Sequence, residues 1–102
     1  MKGNTIEELI DIIARTGEAT FIYHNDEYQI LTEADPNDKT KTIYSIWKAV
    51  ECKNPKPLVE YKFNKNDEYN PKYVVEFLNK KGFDNNKSFM DCESDIEITY
   101  HG

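Results

Sequence analysis

Side chains that carry chemistry are scarce in this chain. Its 102 residues include two histidines, two cysteines, three serines, four glycines and one arginine, and each shortage closes a route. His24 and His101 stand far apart, one at a turn and one near the C-terminus, where solvated imidazoles are expected rather than a proton-transfer pair. No H-x-x-x-H, C-x-x-C or calcium-loop spacing occurs. Asp35-Pro36-Asn37-Asp38 offers suitable oxygens, but its proline and its lack of glycine spoil an EF-hand reading. Ser45, Ser88 and Ser94 have no elbow glycines around them, and Cys92 sits between Asp91 and Glu93, whose charges oppose a nucleophilic thiolate. The carboxylate pairs Glu7-Glu8 and Asp26-Glu27 are adjacent in sequence, and adjacent positions do not share a face. Scattered glycines exclude a phosphate-cradling loop. No enzyme, metal site or cofactor is expected.

Long hydrophobic runs are also missing. No uninterrupted apolar stretch exceeds three residues, so no segment is expected to span a membrane. Met1-Lys2-Gly3-Asn4 is not followed by the apolar region of a signal peptide. Cys52 and Cys92 fit no pair motif; a disulfide between them is open, and reduced thiols of a soluble, cytoplasmic protein are the preferred reading.

What the chain does have is charge, arranged in three blocks. Residues 1–38 hold nine acids against Lys2 and Arg15, residues 39–81 hold ten lysines against five acids, and residues 82–102 hold five acids against Lys87. The net charge is −6 and the isoelectric point about 4.9, which argues against nucleic acid, where Lys and Arg neutralising phosphate supply most of the affinity.

Thr5-Ile6-Glu7-Glu8 is a capping box. Ile6, Leu9, Ile10 and Ile13 follow at helical spacing and Gly17 supplies a left-handed stop, so a helix is expected over about 6–16. Glu18–Tyr23 and Glu27–Thr32 read as a hairpin closed by Asn25-Asp26. That register puts Tyr23 opposite Tyr28, Phe21 opposite Ile30 and Ala19 opposite Thr32 on one face, where the helix should pack. Thr20, Ile22, Gln29 and Leu31 then lie on the other. Residues 41–50 fit either a helix (Ile43, Ile46, Trp47, Val50) or a strand; the β-branched and aromatic content favours a third strand. Leu58–Phe63 reads as a fourth. Asn70-Pro71 starts a second helix with Tyr73, Val74, Phe77 and Leu78 as its apolar stripe and Gly82 as its end. A short helical turn is expected around Ser88–Cys92, and Ile96, Ile98 and Tyr100 alternate as a last strand. The expected class is α+β: a mainly antiparallel sheet of four to five strands with two helices on one face, order α-β-β-β-(β)-α-β, in a single domain over residues 1–102.

The α-β-β-β-α start of the chain resembles the double-stranded RNA-binding domain in order of elements. That family needs a basic cluster opening its second helix, and Asn70-Pro71-Lys72-Tyr73-Val74-Val75-Glu76 supplies one lysine, so its function does not carry over. Residues 5 to 31, including Thr16-Gly17-Glu18-Ala19-Thr20-Phe21-Ile22-Tyr23 and Tyr28-Gln29-Ile30, resemble the opening of small proteins of low-GC Gram-positive bacteria and their phages. In size and acidity the chain also resembles phage-encoded inhibitors and immunity or antitoxin proteins.

The functional expectation is therefore a small acidic protein-binding module, a regulator or inhibitor of a basic protein partner. Glu7, Glu8, Asp11, Glu18, Asp26, Glu27, Asp35 and Asp38 are its expected docking carboxylates, gathered with Glu33 at one end of the molecule, and Tyr69 is an exposed aromatic anchor. Helix-dipole complementarity alone accounts for Glu7, Glu8 and Asp11. The alternatives are self-association, with the lysine-rich block of one copy on the acidic block of another, and a small-molecule or nucleic-acid binder using a sheet face around Ile22 and Leu31.

Overall fold

The computed structural model describes residues 1–49, 56–64 and 71–101. Its elements are helix α1 (Ile6–Thr16), strands β1 (Ala19–Tyr23), β2 (Asp26–Ala34), β3 (Lys41–Lys48) and β4 (Val59–Asn64), helix α2 (Pro71–Leu78), a 3-10 turn (Met90–Asp95) and strand β5 (Ile96–His101). The strands form one antiparallel sheet in the order β4-β3-β2-β1-β5, which makes the fold α+β with the expected element order. Among the described residues no helix is long and apolar enough to cross a membrane.

Helix α1 forms for the reasons its sequence gives. Thr5 Oγ1 accepts the Glu8 N–H at 3.2 Å, and Glu8 Oε1 accepts the Thr5 N–H at 2.8 Å. Gly17 ends the helix at φ 76°, with its N–H on the Ile13 carbonyl. Leu9 and Ile13 are buried against the sheet.

The hairpin differs from expectation in its loop. His24 and Asn25 are the central residues, both left-handed at φ 49° and 68°, as the tight turn that matches strand twist requires. Phe21 therefore pairs with Tyr28 and Tyr23 with Asp26. Moving the loop by one residue shifts the pairing by two positions, and side chains alternate with period two, so every residue keeps its expected face. Ala19, Phe21, Tyr23, Tyr28 and Ile30 are buried in the same core cluster as Leu9 and Ile13 of α1, with Phe83 against the rings of Phe21, Tyr23 and Tyr28. Thr32 is exposed instead, its hydroxyl donating to the Gly17 carbonyl at 2.8 Å.

Residues 41–48 are a strand, and its ambiguity has a structural cause. β3 lies between β2 and β4, and Ile43, Tyr44, Ser45 and Ile46 are all buried. A central strand whose successive residues are buried, whichever face they point to, loses the alternation that distinguishes it from a helix. Val50, also assigned to that stretch, lies outside the described residues.

Helix α2 stops at Leu78, short of Gly82. The Lys80 N–H turns to the Phe77 carbonyl, tightening the end three residues back. The chain then runs through Phe83 and Phe89, both buried, to the 3-10 turn. That turn is started reciprocally: Ser88 N–H donates to Asp91 Oδ2 at 2.9 Å and Asp91 N–H to Ser88 Oγ at 3.1 Å.

The core lies between the helices and one sheet face. At its centre Phe21 stacks on Tyr28 (5.3 Å between ring centroids) and meets Phe89 edge-on at 5.1 Å, with Phe83 at 5.7 Å. Cys92 is a buried free thiol in this cluster; Cys52 lies outside the described residues.

Candidate functional site

The nine acids of the first block do not share one surface. Asp26 opens β2 and Asp35 follows its end, so nine residue steps of about 3.3 Å hold them roughly 25–30 Å apart. Glu18 precedes β1 at the end away from the hairpin tip, since Ala19 pairs with Ile30. Most of these carboxylates have local partners. Glu8 caps α1, and Asp11 accepts from Arg15 at 3.0 Å. Asp26 sits 3.2 Å from Lys48 and Asp35 3.2 Å from Lys62. Asp38 accepts from the Thr40 hydroxyl at 2.6 Å and its N–H at 2.9 Å, which lowers its pKa. Glu7 is on exposed helix surface and Tyr69 lies outside the described residues.

A different acidic surface emerges on the face of the sheet away from the helices. Alternation places Glu18, Thr20 and Ile22 there, with Glu27, Gln29, Leu31 and Glu33 of β2, Ile43, Ser45 and Trp47 of β3, Glu60 and Lys62 of β4, and Glu97 of β5. The pairing arranges these in rows across the strands. One row runs Glu97, Ile22, Glu27; another runs Leu31, Ser45, Glu60; a third runs Glu33, Ile43, Lys62. The first row has an isoleucine between two carboxylates; the second ends in Glu60, and the third runs from Glu33 to Lys62. Ile22, Leu31 and Trp47 are half-buried, while Glu18, Glu27, Glu33, Glu60 and Glu97 are exposed. None of these five carboxylates enters an ion pair with a described residue. Trp47 folds back along the face, its indole N–H donating to Ser45 Oγ at 2.7 Å and roofing that fully buried hydroxyl.

Two shallow depressions mark this face. One of about 250 Å³ lies between β1 and β2, walled by Glu18, Thr20, Gln29 and Leu31. The other, about 360 Å³, lies over the β1–β5 end between Lys2, Ile22, His24, Asp95 and Glu97. Both are open and walled mainly by polar groups, unlike the concave apolar pockets that enclose small ligands. His24, exposed, stacks on Tyr23 at 3.9 Å and lies 3.4 Å from Asp95.

The hydroxyl of Tyr23 reaches the other side of the molecule, donating to Asp84 Oδ2 at 2.7 Å. The Cys92 thiol beside it, then Asp84 and burial, push its pKa far up. It is a half-buried bond that ties β1 to the segment after α2.

Sequence reasoning named Glu18, Glu27 and Glu33 of this surface and the sheet face around Ile22 and Leu31, which are half-buried. It missed Glu60, Glu97 and Trp47. Alternation in β4 and β5 gives each an outward side, but only the sheet order puts them on the same face as Ile22. Among the described residues no group of three or more His, Cys, Asp or Glu side chains is placed to hold a metal ion. No family model matches this chain, and no curated protein or solved structure matches it.

Proposed function

We propose that this protein is a non-enzymatic, cytoplasmic binding module, a small regulator or inhibitor that docks a basic, amphipathic segment of a partner protein on the open face of its sheet. The observation that carries this reading is the arrangement of this face: half-buried Ile22, Leu31 and Trp47, with exposed Glu18, Glu27, Glu33, Glu60 and Glu97 around them and in no ion pair with a described residue. Interfaces of this kind take their affinity from a desolvated apolar and aromatic centre, and their on-rate and selectivity from the charged surround. A small-molecule role is less well supported, because both depressions are open and polar-walled rather than concave and apolar. The small size and acidity that resemble phage-encoded inhibitors fit the same reading.

Trp47, the single tryptophan, reports on this surface directly. A synthetic helix with leucines on one side and flanking lysines should shift its emission to the blue, with affinity falling as salt rises. Glu27→Lys with Glu97→Lys should weaken that binding at least about tenfold, roughly 1.4 kcal/mol, and Ile22→Asp should abolish it. Glu7→Lys on α1 should change nothing. A Trp47 response indifferent to the sheet-face variants but lost in Glu7→Lys refutes the proposal.

A further inference from the structure

The outer edge of β4 is self-complementary. Ala49 N–H donates to the Glu27 carbonyl, so the odd-numbered residues of β3 bond β2 and its even-numbered residues bond β4. Thr42, Tyr44 and Ile46 meet Phe63, Tyr61 and Val59. Glu60 and Lys62 therefore turn their backbone N–H and C=O groups away from the sheet. No described strand lies beyond them. The Glu60 carbonyl is met by the Lys80 ammonium, a side-chain cap on an otherwise open edge.

We propose that this edge pairs with the same edge of a second copy of this chain, antiparallel about a two-fold axis through Tyr61, to give one sheet continuous across a dimer. The register follows from the sequence Glu60-Tyr61-Lys62. With Tyr61 on the axis, Glu60 stands opposite Lys62 of the other copy, and the same pair recurs on the other side of the axis. Each pair exchanges two backbone hydrogen bonds and brings opposite charges together on the open face. On the helix face Val59 stands opposite Phe63, and Tyr61 opposite Tyr61. These aromatics are half-buried in the single chain, Phe63 lying 5.2 Å from Tyr73 and 4.5 Å from Tyr44 between ring centroids. Leu58, at the start of the strand, is 38% exposed.

A lysine on an edge strand ordinarily repels a second copy of itself and blunts pairing. Here Glu60, two positions away, converts that repulsion into attraction in this one register. Two contacts compete: the Lys80 cap must leave Glu60, and Lys62 must be shared with Asp35. The second copy is favoured over a strand of another protein because the charge pattern matches itself. This inference rests on the β4 edge and shares only Glu60 with the open-face reading.

Sedimentation of the full chain should show a concentration-dependent dimer. Glu60→Lys and Lys62→Glu should each be monomeric at the same concentration. An equimolar mixture of the two should regain the dimer, because an edge carrying two lysines then faces an edge carrying two glutamates and both cross-strand pairs attract. If Lys62→Glu fails to fold through loss of its Asp35 contact, Glu60→Pro removes an outward N–H while leaving Asp35 and the β3 ladder untouched; it too should be monomeric. A wild-type chain that stays monomeric up to about 1 mM overturns the proposal. So does a dimer unaffected by both Glu60→Lys and Glu60→Pro, which would place the contact elsewhere or with another surface.

Discussion

Lys62 Nζ lies 3.2 Å from Oδ2 of Asp35, a carboxylate with 4% of its side chain exposed. One residue belongs to the lysine-rich block of the sequence and the other to the acidic block before it. Lys48 with Asp26 and Lys81 with Asp91 repeat the arrangement, each joining a middle-block lysine to an outer-block acid. Three of the ten middle-block lysines are thus matched to outer-block acids inside one chain. Block-on-block self-association loses these three lysines as partners, while Glu18, Glu27, Glu33, Glu60 and Glu97 around the open face enter no ion pair with a described residue.

The paired carboxylates set the acid limit of stability. Asp35 is held below the ordinary 3.8 by the Asn37 N–H and then by Lys62; Asp91 is brought to about 2 by the Lys81 ammonium and the Ser88 N–H. A depressed folded-state pKa gives stability that is present above the ordinary value and lost as pH falls through the folded one. Urea midpoints should therefore fall between about pH 4 and pH 2. Asp35→Asn, which keeps the Asn37 bond but not the charge, should lower the midpoint at pH 7 and flatten that decline. An unchanged acid profile in Asp35→Asn and Asp91→Asn together would refute this assignment.

At the alkaline end the tyrosines act in the same direction as one another. Burial raises Tyr28 and Tyr44; burial and the Glu76 carboxylate, which accepts the Tyr61 hydroxyl, bring Tyr61 to about 12; Tyr23 is raised further. Their neutral forms are the stabilised ones, so the contribution is complete below the ordinary value of 10.0 and lost as pH rises above it. An ultraviolet phenolate titration should show four of the seven tyrosines ionising late, with Tyr23 ionising only as the protein unfolds. Tyr23→Phe should remove the last step and cost about 1.5–3 kcal/mol, the range for a hydrogen bond to a charged group.

Phe21 is fully buried at the centre of the ring cluster. Truncating it leaves a cavity walled by Tyr28, Phe83 and Phe89. Phe21→Ala should cost about 3–5 kcal/mol, read as a lower denaturant midpoint, against less than 1.5 kcal/mol, roughly, for Ile30→Val.

Gly17 combines two requirements. Its φ of 76° is left-handed, and a Cβ there would meet Thr32 Oγ1 at 2.6 Å and Thr32 Cβ at 2.8 Å. Gly17→Ala should therefore cost more than the roughly 1–2 kcal/mol of left-handed backbone alone. Thr32→Gly in the same chain should recover the steric excess and leave the backbone part. Additive costs in the double variant would show that Thr32 is not the obstacle.

Local rules account for much that the residues announced. The Thr5–Glu8 box, the Ile6–Ile13 stripe, Gly17, Pro71 and the Ile96–Ile98 alternation each act within one or two turns of chain, so their elements stand where sequence put them. The His24–Asn25 turn escaped because His24, seldom left-handed, gives way to the pairing of Phe21 with Tyr28 beneath it. The end of α2 escaped because the packing of Phe83 and Phe89, rather than Gly82, decides where the chain must turn.

The sequence by itself determined the class of fold, the faces of the hairpin and the shortage of catalytic groups, since period, capping and composition are properties of neighbouring residues. Tertiary structure alone decided which charges cancel and which remain. Asp35 and Lys62 meet only because β4 lies beside β3, and Glu97 joins Ile22 and Glu27 only because β5 crosses to the far edge. Electrostatics depends on distance through space, and the order β4-β3-β2-β1-β5 sets those distances.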